Sequence, residues 1–378
     1  MNGWYQIAVA VVALAFASEC KAGLVPSPPH GDMEQLYKWV WFASSGTGYV
    51  ASQYTLVRTR DRGATWIPVR DTIRENFPGI REMFFASEQT FFVDGWRGIW
   101  RTTDGGTTFE RLNEKVPAID DSTQTDELRH FFFLDAGRGW AFGDRQLLIT
   151  RDGGKTWLQR RLRKRDFGFD QPSRLSLFDA QRAVAIGADR VFRTEDEGLH
   201  WTAVPTSRHL DEVQCTSSGF CAGRTLSGVA LLHVSTDAGK SWQAVATGLD
   251  PDRDEVTAVQ VVSPNDVVLV GTHNDQGRSE RLGRGPRVIK PTAAPFRGLL
   301  VRWNGTMWER HEYPELARLR AIHFVNATEA WASADLNGLL YSTDGAKTWT
   351  FVPDYYRQAA ALTPAPTPLF IVTPPPTP

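Results

Sequence analysis

The chain has 378 residues, 42% of them hydrophobic and 22% charged, a globular balance that excludes a disordered chain and leaves material for a large core. Its 32 Gly, 14 Trp and 21 Phe against 4 Met favour an all-β protein with aromatic-pinned turns over helical domains. The formal net charge of -1 argues against a general nucleic-acid binder, so any electrostatic recognition must come from local patches.

Residues 1–22 read as a signal peptide. A polar start precedes the apolar run Ile7 to Ala17, and Ala15-Phe16-Ala17 fits an A-x-A cleavage site. The run is too short to span a bilayer comfortably. No Lys or Arg precedes it, and an uncleaved membrane anchor is the alternative. A lipid anchor at Cys20 is disfavoured because Glu19 occupies the place of a small residue. Export to the periplasm or the medium is the expectation. Cleavage after Ala22 leaves two cysteines, Cys215 and Cys221, which a turn near 217–219 would set opposite each other across a hairpin. They form either one disulfide, as an oxidising compartment allows, or two buried thiols.

From about residue 32 the chain is repetitive. The pattern Ser/Thr-x-Asp-x-Gly-x-x-Trp/Phe recurs around Asp61, Asp104, Asp152, Asp196, Asp237 and Asp344, closing on Trp66, Phe109, Trp157, Trp201, Trp242 and Trp349. The aspartates are spaced by roughly forty residues until the last interval, which hides a seventh unit at Arg302 to Trp308 with Asn304 in place of the aspartate. Each unit carries four short apolar strands, such as His130–Leu134, Gly139–Gly143, Gln146–Thr150 and Trp157–Arg160, or Ala321–Val325, Ala330–Ser333, Leu339–Ser342 and Trp349–Val352. Four strands per unit and seven units predict an all-β seven-bladed propeller over 32–357, starting near Trp39. Residues 358–378, ending in Thr-Pro-Pro-Pro-Thr-Pro, read as an unpacked Pro-rich tail.

Turn chemistry accounts for the repeated aspartates. Carboxylate and hydroxyl satisfy backbone amides in a tight turn, Gly supplies a left-handed conformation, and the aromatic anchors neighbouring sheets. They are therefore expected to be structural and not catalytic.

On these boxes the chain resembles the Asp-box (BNR-repeat) propellers, and it looks closest to the photosystem II stability/assembly factor family over Trp39 to Asp354. That resemblance implies one seven-bladed domain acting as an assembly chaperone through a basic patch. Sialidases of the class carry an arginine before Ile-Pro, which is missing from Trp66-Ile67-Pro68-Val69-Arg70. The large xyloglucan hydrolases resemble two tandem propellers, and one is present here.

In a propeller the turns between strands two and three, and those joining blades, share the face opposite the boxes. Function is expected there. Two basic stretches reach it: Arg163, Lys164 and Arg165 after blade three, and Arg278, Arg281, Arg284, Arg287 and Lys290 in an insertion from Thr272 to Phe296 of blade six. Arginine forks suit the carboxylates of a partner, although solvated loops carry the same residues. The acidic stretches Asp120 to Glu127 and Asp250 to Glu255 lack a spaced calcium motif, so no metal is expected. Nor does any nucleophile elbow, phosphate loop or zinc-ligand spacing imply a cofactor. His130, His200, His209, His273, His311 and His323 are scattered along the chain and read as structural or surface residues. The expectation is a monomeric, non-enzymatic binder of a protein in the envelope or a membrane complex, with no nucleic-acid ligand. The alternative is a glycoside hydrolase or carbohydrate-binding propeller acting on polysaccharide.

Overall fold

The chain is described here by a computed structural model over residues 38–352, apart from 53–54, 70–78, 96–97, 113–127, 144–145, 163–166, 168–173, 188–189, 208, 226–231, 276–295 and 336–337. The expected signal peptide and Pro-rich tail lie outside the described residues. Seven sheets, each of four antiparallel strands bonded in chain order, make a seven-bladed β-propeller. Blade one is Trp39–Phe42, Gly48–Ala51, Leu56–Thr59 and Ile67–Pro68, and among the described residues no strand is exchanged between the first and last blades.

Burial explains the residue types. In blade two the middle strands Phe91–Gly95 and Gly98–Thr102 are buried throughout because neighbouring blades cover both faces, while the outer pair Glu110–Arg111 is half-buried. Apolar clusters fill the clefts between blades. Phe92 and Ile99 of blade two meet Phe131, Phe133 and Trp157 of blade three, and Phe92 stacks on Phe133 at 3.5 Å. The strands expected in blades three and seven appear within about two residues of their expected ends, and the box tryptophans stand just before the fourth strands Leu158–Arg161 and Thr350–Phe351.

All six boxes close the same way. Thr59 Oγ1 donates to Asp61 Oδ1 (2.7 Å) and accepts from the Gly63 amide (2.9 Å), while Asp61 accepts from the Thr65 amide (2.8 Å) and hydroxyl (2.5 Å). The equivalents run through Asp104, Asp152, Asp196, Asp237 and Asp344. Each box holds two consecutive left-handed residues, such as Gly153 (φ 74°) and Gly154 (φ 85°). In blade seven the second is Ala346 at φ 68°, a conformation costing about 1–2 kcal/mol for a residue with a Cβ.

The boxes also tie the ring together. A box amide bonds to the turn between strands one and two of its own blade, as Gly153 N does to Gly137 O (2.7 Å) and Ala238 N to Gly219 O (2.9 Å). In blades one, two and four an arginine just before the box reaches forward to the next blade's box, whereas blades three and seven have Ile149 and Tyr341 there. Arg58 donates to Gly105 O (2.7 Å), Arg101 to Gly153 O (2.8 Å) and Arg193 to Ala238 O (2.7 Å). Blade five has Val234 at this place, and blade six, which follows it, has no Asp-box.

The unit at Asn304 is a full blade, but its turn is a different structure. Phe296–Trp303 and Trp308–Tyr313 are joined by only four residues, where Asn304 Oδ1 accepts the amides of Thr306 and Met307 (both 3.0 Å) and Gly305 takes φ 91°. Trp308 packs into the cluster between blades five and six, as the box aromatic Trp157 packs between blades two and three. Blade six also corrects the insertion's limits. Its second strand continues to Asn274, with His273 paired to Arg297 and Asn274 to Phe296, so the insertion spans 275–295 instead of starting at Thr272.

Around the axis the first strands are stitched by two kinds of contact. From blade four round to blade one the bonds are polar: Cys215 N to Ser176 Oγ (3.0 Å), Gln214 Nε2 to Val259 O (2.7 Å), Phe324 N to Gln260 Oε1 (2.9 Å) and His323 Nε2 to Phe42 O (2.8 Å). From blade one to blade three they are aromatic, with Trp41 stacked on Phe85 at 4.7 Å and Phe84 against Phe132 at 5.5 Å. Cys215 and Cys221 stand opposite in register and are joined by a disulfide.

Candidate functional site

Because each box amide bonds to the turn between strands one and two, boxes and those turns share one face. Strand-one starts and strand-two ends lie on the other, with Asp275 and Phe296 at the two ends of the blade-six insertion. Of the expected binding residues, Arg163, Lys164, Arg165, Arg278, Arg281, Arg284, Arg287 and Lys290 lie outside the described residues, as does Asp120 to Glu127. Only the roots of their loops are seen, at Arg161 and at Asp275 and Arg297.

The box aspartates are taken up in turn bonding. The Thr348 hydroxyl and amide hold the Asp344 carboxylate at about 2, and every box carboxylate is engaged by its own turn.

The described loop face is rich in arginine that the sequence did not single out, because it stands singly at strand ends. Arg81 meets Asp94 (2.9 Å), Arg224 Glu212 (2.6 Å), Arg318 Glu255 (3.1 Å) and Arg320 Asp335 (2.6 Å). Arg174 Nη1 lies 3.1 Å from His130 Nδ1. At the insertion's roots, Arg297 forks onto Asp275 through Nε (3.1 Å) and Nη2 (3.0 Å). Beneath them Asp254, from the stretch considered for calcium, accepts Arg310 Nη1 (2.7 Å) and Nη2 (3.0 Å), His273 Nδ1 (2.7 Å) and the Asp250 amide (2.7 Å). Despite burial, these donors hold its carboxyl below the usual range. Such a satisfied carboxylate ties strands one, two and four of blade six together at this end. Among the described residues no group of His, Cys, Asp and Glu could hold a metal ion.

A second cluster lies where blades two, three and four approach the axis. Glu82 and Asp94 are directly opposite on the first two strands of blade two. Arg81 Nη2 donates to Asp94 Oδ1 (2.9 Å) and to Gly95 O (3.0 Å). Asp94 Oδ2 and Glu82 Oε2 are buried with no hydrogen-bond partner, and His130 Nδ1 is 3.7 Å from Glu82 Oε2. Burial pushes the Asp94 carboxyl up to about 7 against the pull of Arg81, with the Glu82 charge adding to the rise. Sequence gave no signal for this pair, since cross-strand neighbours are visible only once register is known.

Residues 119–250 match the sequence model of the photosynthesis system II assembly factor YCF48. The chain is an Asp-box propeller similar to YCF48. A solved YCF48 bound to D1 peptide shares the fold with TM-score 0.53 and 18% identity, covering 73% of this chain and 81% of that one. YCF48 from Cyanidioschyzon merolae does so with TM-score 0.54 and 15% identity over 86% of this chain and 98% of that one. The GH74 xyloglucanase from Xanthomonas campestris matches with TM-score 0.59 and 14% identity over 84% of this chain but 54% of its own. No curated protein matches the chain.

Proposed function

We propose that this YCF48-like propeller is an exported, monomeric, non-enzymatic assembly factor that grips a protein partner of the envelope or a membrane complex through the basic loops opposite its boxes. The placement of arginine carries the reading. Arg58, Arg101 and Arg193 reach backbone carbonyls inside the fold, and Arg81, Arg224, Arg318 and Arg320 stand at strand ends of the loop face, each paired to a carboxylate. Guanidinium groups paired to surface carboxylates exchange them for a partner's carboxylates at little net cost. The YCF48 bound to a D1 peptide has the same architecture, which supports a peptide as the kind of ligand. The test reverses Arg163, Lys164 and Arg165 to Glu and, separately, deletes 277–290. Loss of partner recovery with an unchanged melting temperature is expected, and unchanged recovery in both variants contradicts the proposed surface.

One observation favours the second reading, polysaccharide hydrolysis. Glu82 and Asp94 are adjacent carboxyls, and Asp94 at about 7 has the property of a general acid. Its side chain is only 1% exposed, which closes it to a glycosidic oxygen. Release of reducing ends from xyloglucan, abolished by Asp94→Asn, would revive this reading.

A further inference from the structure

Two Asn-x-Thr triplets occur in the chain, Asn304-Gly305-Thr306 and Asn326-Ala327-Thr328. Neither middle residue is proline, so both have the form of an acceptor for an N-linked glycan. What decides the meaning of such a triplet is where the fold puts it and how the asparagine amide is engaged there.

The fold gives both the same setting. Asn304 stands in the four-residue turn of blade six, and Asn326 in the turn between Leu319–Phe324 and Ala330–Ala334 of blade seven. Each asparagine and its threonine are exposed. Asn304 Oδ1 accepts the Thr306 amide (3.0 Å), the Thr306 hydroxyl (2.8 Å) and the Met307 amide (3.0 Å). Asn326 Oδ1 accepts the Thr328 amide (3.0 Å), the Thr328 hydroxyl (3.0 Å) and the Glu329 amide (2.9 Å). The carbonyl oxygen therefore holds each turn. Asn304 Nδ2 donates to Glu309 Oε1 (2.6 Å). An asparagine amide that carries a sugar keeps Oδ1 and one N–H, so both turns and the Glu309 bond are compatible with substitution at Nδ2. The two turns are also neighbours. Gly345 N bonds to Thr328 O (2.8 Å), which sets the Asn326 turn beside the box of blade seven. Arg302, two residues before Asn304, donates from Nη1 to Ala327 O (3.4 Å) and Gly345 O (3.2 Å).

From this placement we infer that Asn304 and Asn326 are N-glycosylation sites, each taking an oligosaccharide from a polyprenyl diphosphate carrier. In the transfer, Nδ2 bonds to the anomeric carbon and the bond from that carbon to the diphosphate oxygen breaks. The polyprenyl diphosphate leaves, and the proton lost by Nδ2 passes to a base of the transferring enzyme. The inference rests on the export proposed above, and it adds a reason for one-sided docking. Glycans are bulky and hydrated, so two of them over blades six and seven keep a protein partner off that sector of the box face and leave the loop face open.

The experiment takes full-length protein from the exported fraction of its own cells and weighs the peptides holding Asn304 and Asn326 before and after peptide N-glycosidase in heavy-oxygen water. Both should carry hexosamine-bearing mass and become heavy-labelled aspartate on release. Thr306→Ala and Thr328→Ala should each remove one glycan, read as one step of increased mobility on a denaturing gel, while Thr306→Ser and Thr328→Ser keep it. The wild-type masses decide the question by themselves should a variant fail to fold. Exported protein with both asparagines unmodified overturns the inference and leaves export and the loop face standing. A glycan at one asparagine alone overturns the assignment of the other. Protein retained inside the cell with residues 1–22 intact overturns the export reading, and this inference with it.

Discussion

At the scale of single residues, the box works because one carboxylate and one hydroxyl satisfy most of the polar groups of an eight-residue turn, and because two residues in succession take left-handed backbone. The second of these is the more constrained. A Cβ at Gly154 would come within 2.5 Å of Leu112 Cδ1 at φ 85°, combining backbone strain with overpacking. Gly154→Ala should cost about 2–4 kcal/mol in urea unfolding, and a loss below about 0.5 kcal/mol would show that the box tolerates a side chain there. The Cys215–Cys221 bridge closes a short loop, so converting both to Ser should cost about 2 kcal/mol by the loop-entropy relation. Thermal unfolding with and without reductant checks it, and equal melting temperatures would mean that the hairpin is held by its strand pairing alone.

At the scale of elements, boxes interlock along the ring. Arg101 is 8% exposed and reaches both Gly153 O of the next blade and Glu110 of its own. Arg101→Met keeps much of the stem's packing but leaves a buried carbonyl without its donor, so a loss of about 1–3 kcal/mol is expected. Arg138→Met, at an exposed pair with Asp135, should change stability by under about 1 kcal/mol. Similar losses in the two variants would refute the interlock. This element was only half legible in sequence. The boxes, their spacing and their aromatic closures follow from turn chemistry, which is local. The forward reach of Arg58 or Arg193 joins residues 45 or more apart, and no periodicity reports that kind of contact. Likewise Asn304 marked a missing aspartate, yet the shortening to a four-residue turn appears only in the pairing of Trp303 with Trp308.

At the scale of the molecule, blade number, strand count and the position of the insertion were readable because every blade repeats one local pattern. The arginines at strand ends and the Glu82–Asp94 pair were not, since each depends on which residues stand opposite across neighbouring strands, and that is known only with the register. Ring closure is similar. Blade seven meets blade one through Phe42 stacked on Trp331 at 3.7 Å and through His323 Nε2 donating to Phe42 O. Burial lowers the His323 imidazole to about 4, so it is neutral in the folded ring and takes up a proton more readily when unfolded. Its contribution is therefore complete above the unfolded value of about 6.5 and is lost as pH falls from there toward about 4, amounting to roughly 3 kcal/mol. His323→Gln keeps a donor without this titration and should flatten stability between pH 6.5 and pH 4, whereas an unchanged slope would place the acid sensitivity elsewhere.

The central claim is that partner recognition belongs to the face opposite the boxes, and the most direct measurement compares charge reversals on the two faces. Full-length protein carrying Arg163, Lys164 and Arg165 reversed to Glu should lose a cross-linked envelope partner that the wild type retains. Protein carrying Lys155→Glu and Lys347→Glu, both within box turns, should keep it. Loss of the partner from the box-face variant, with retention by the loop-face variant, would contradict the account.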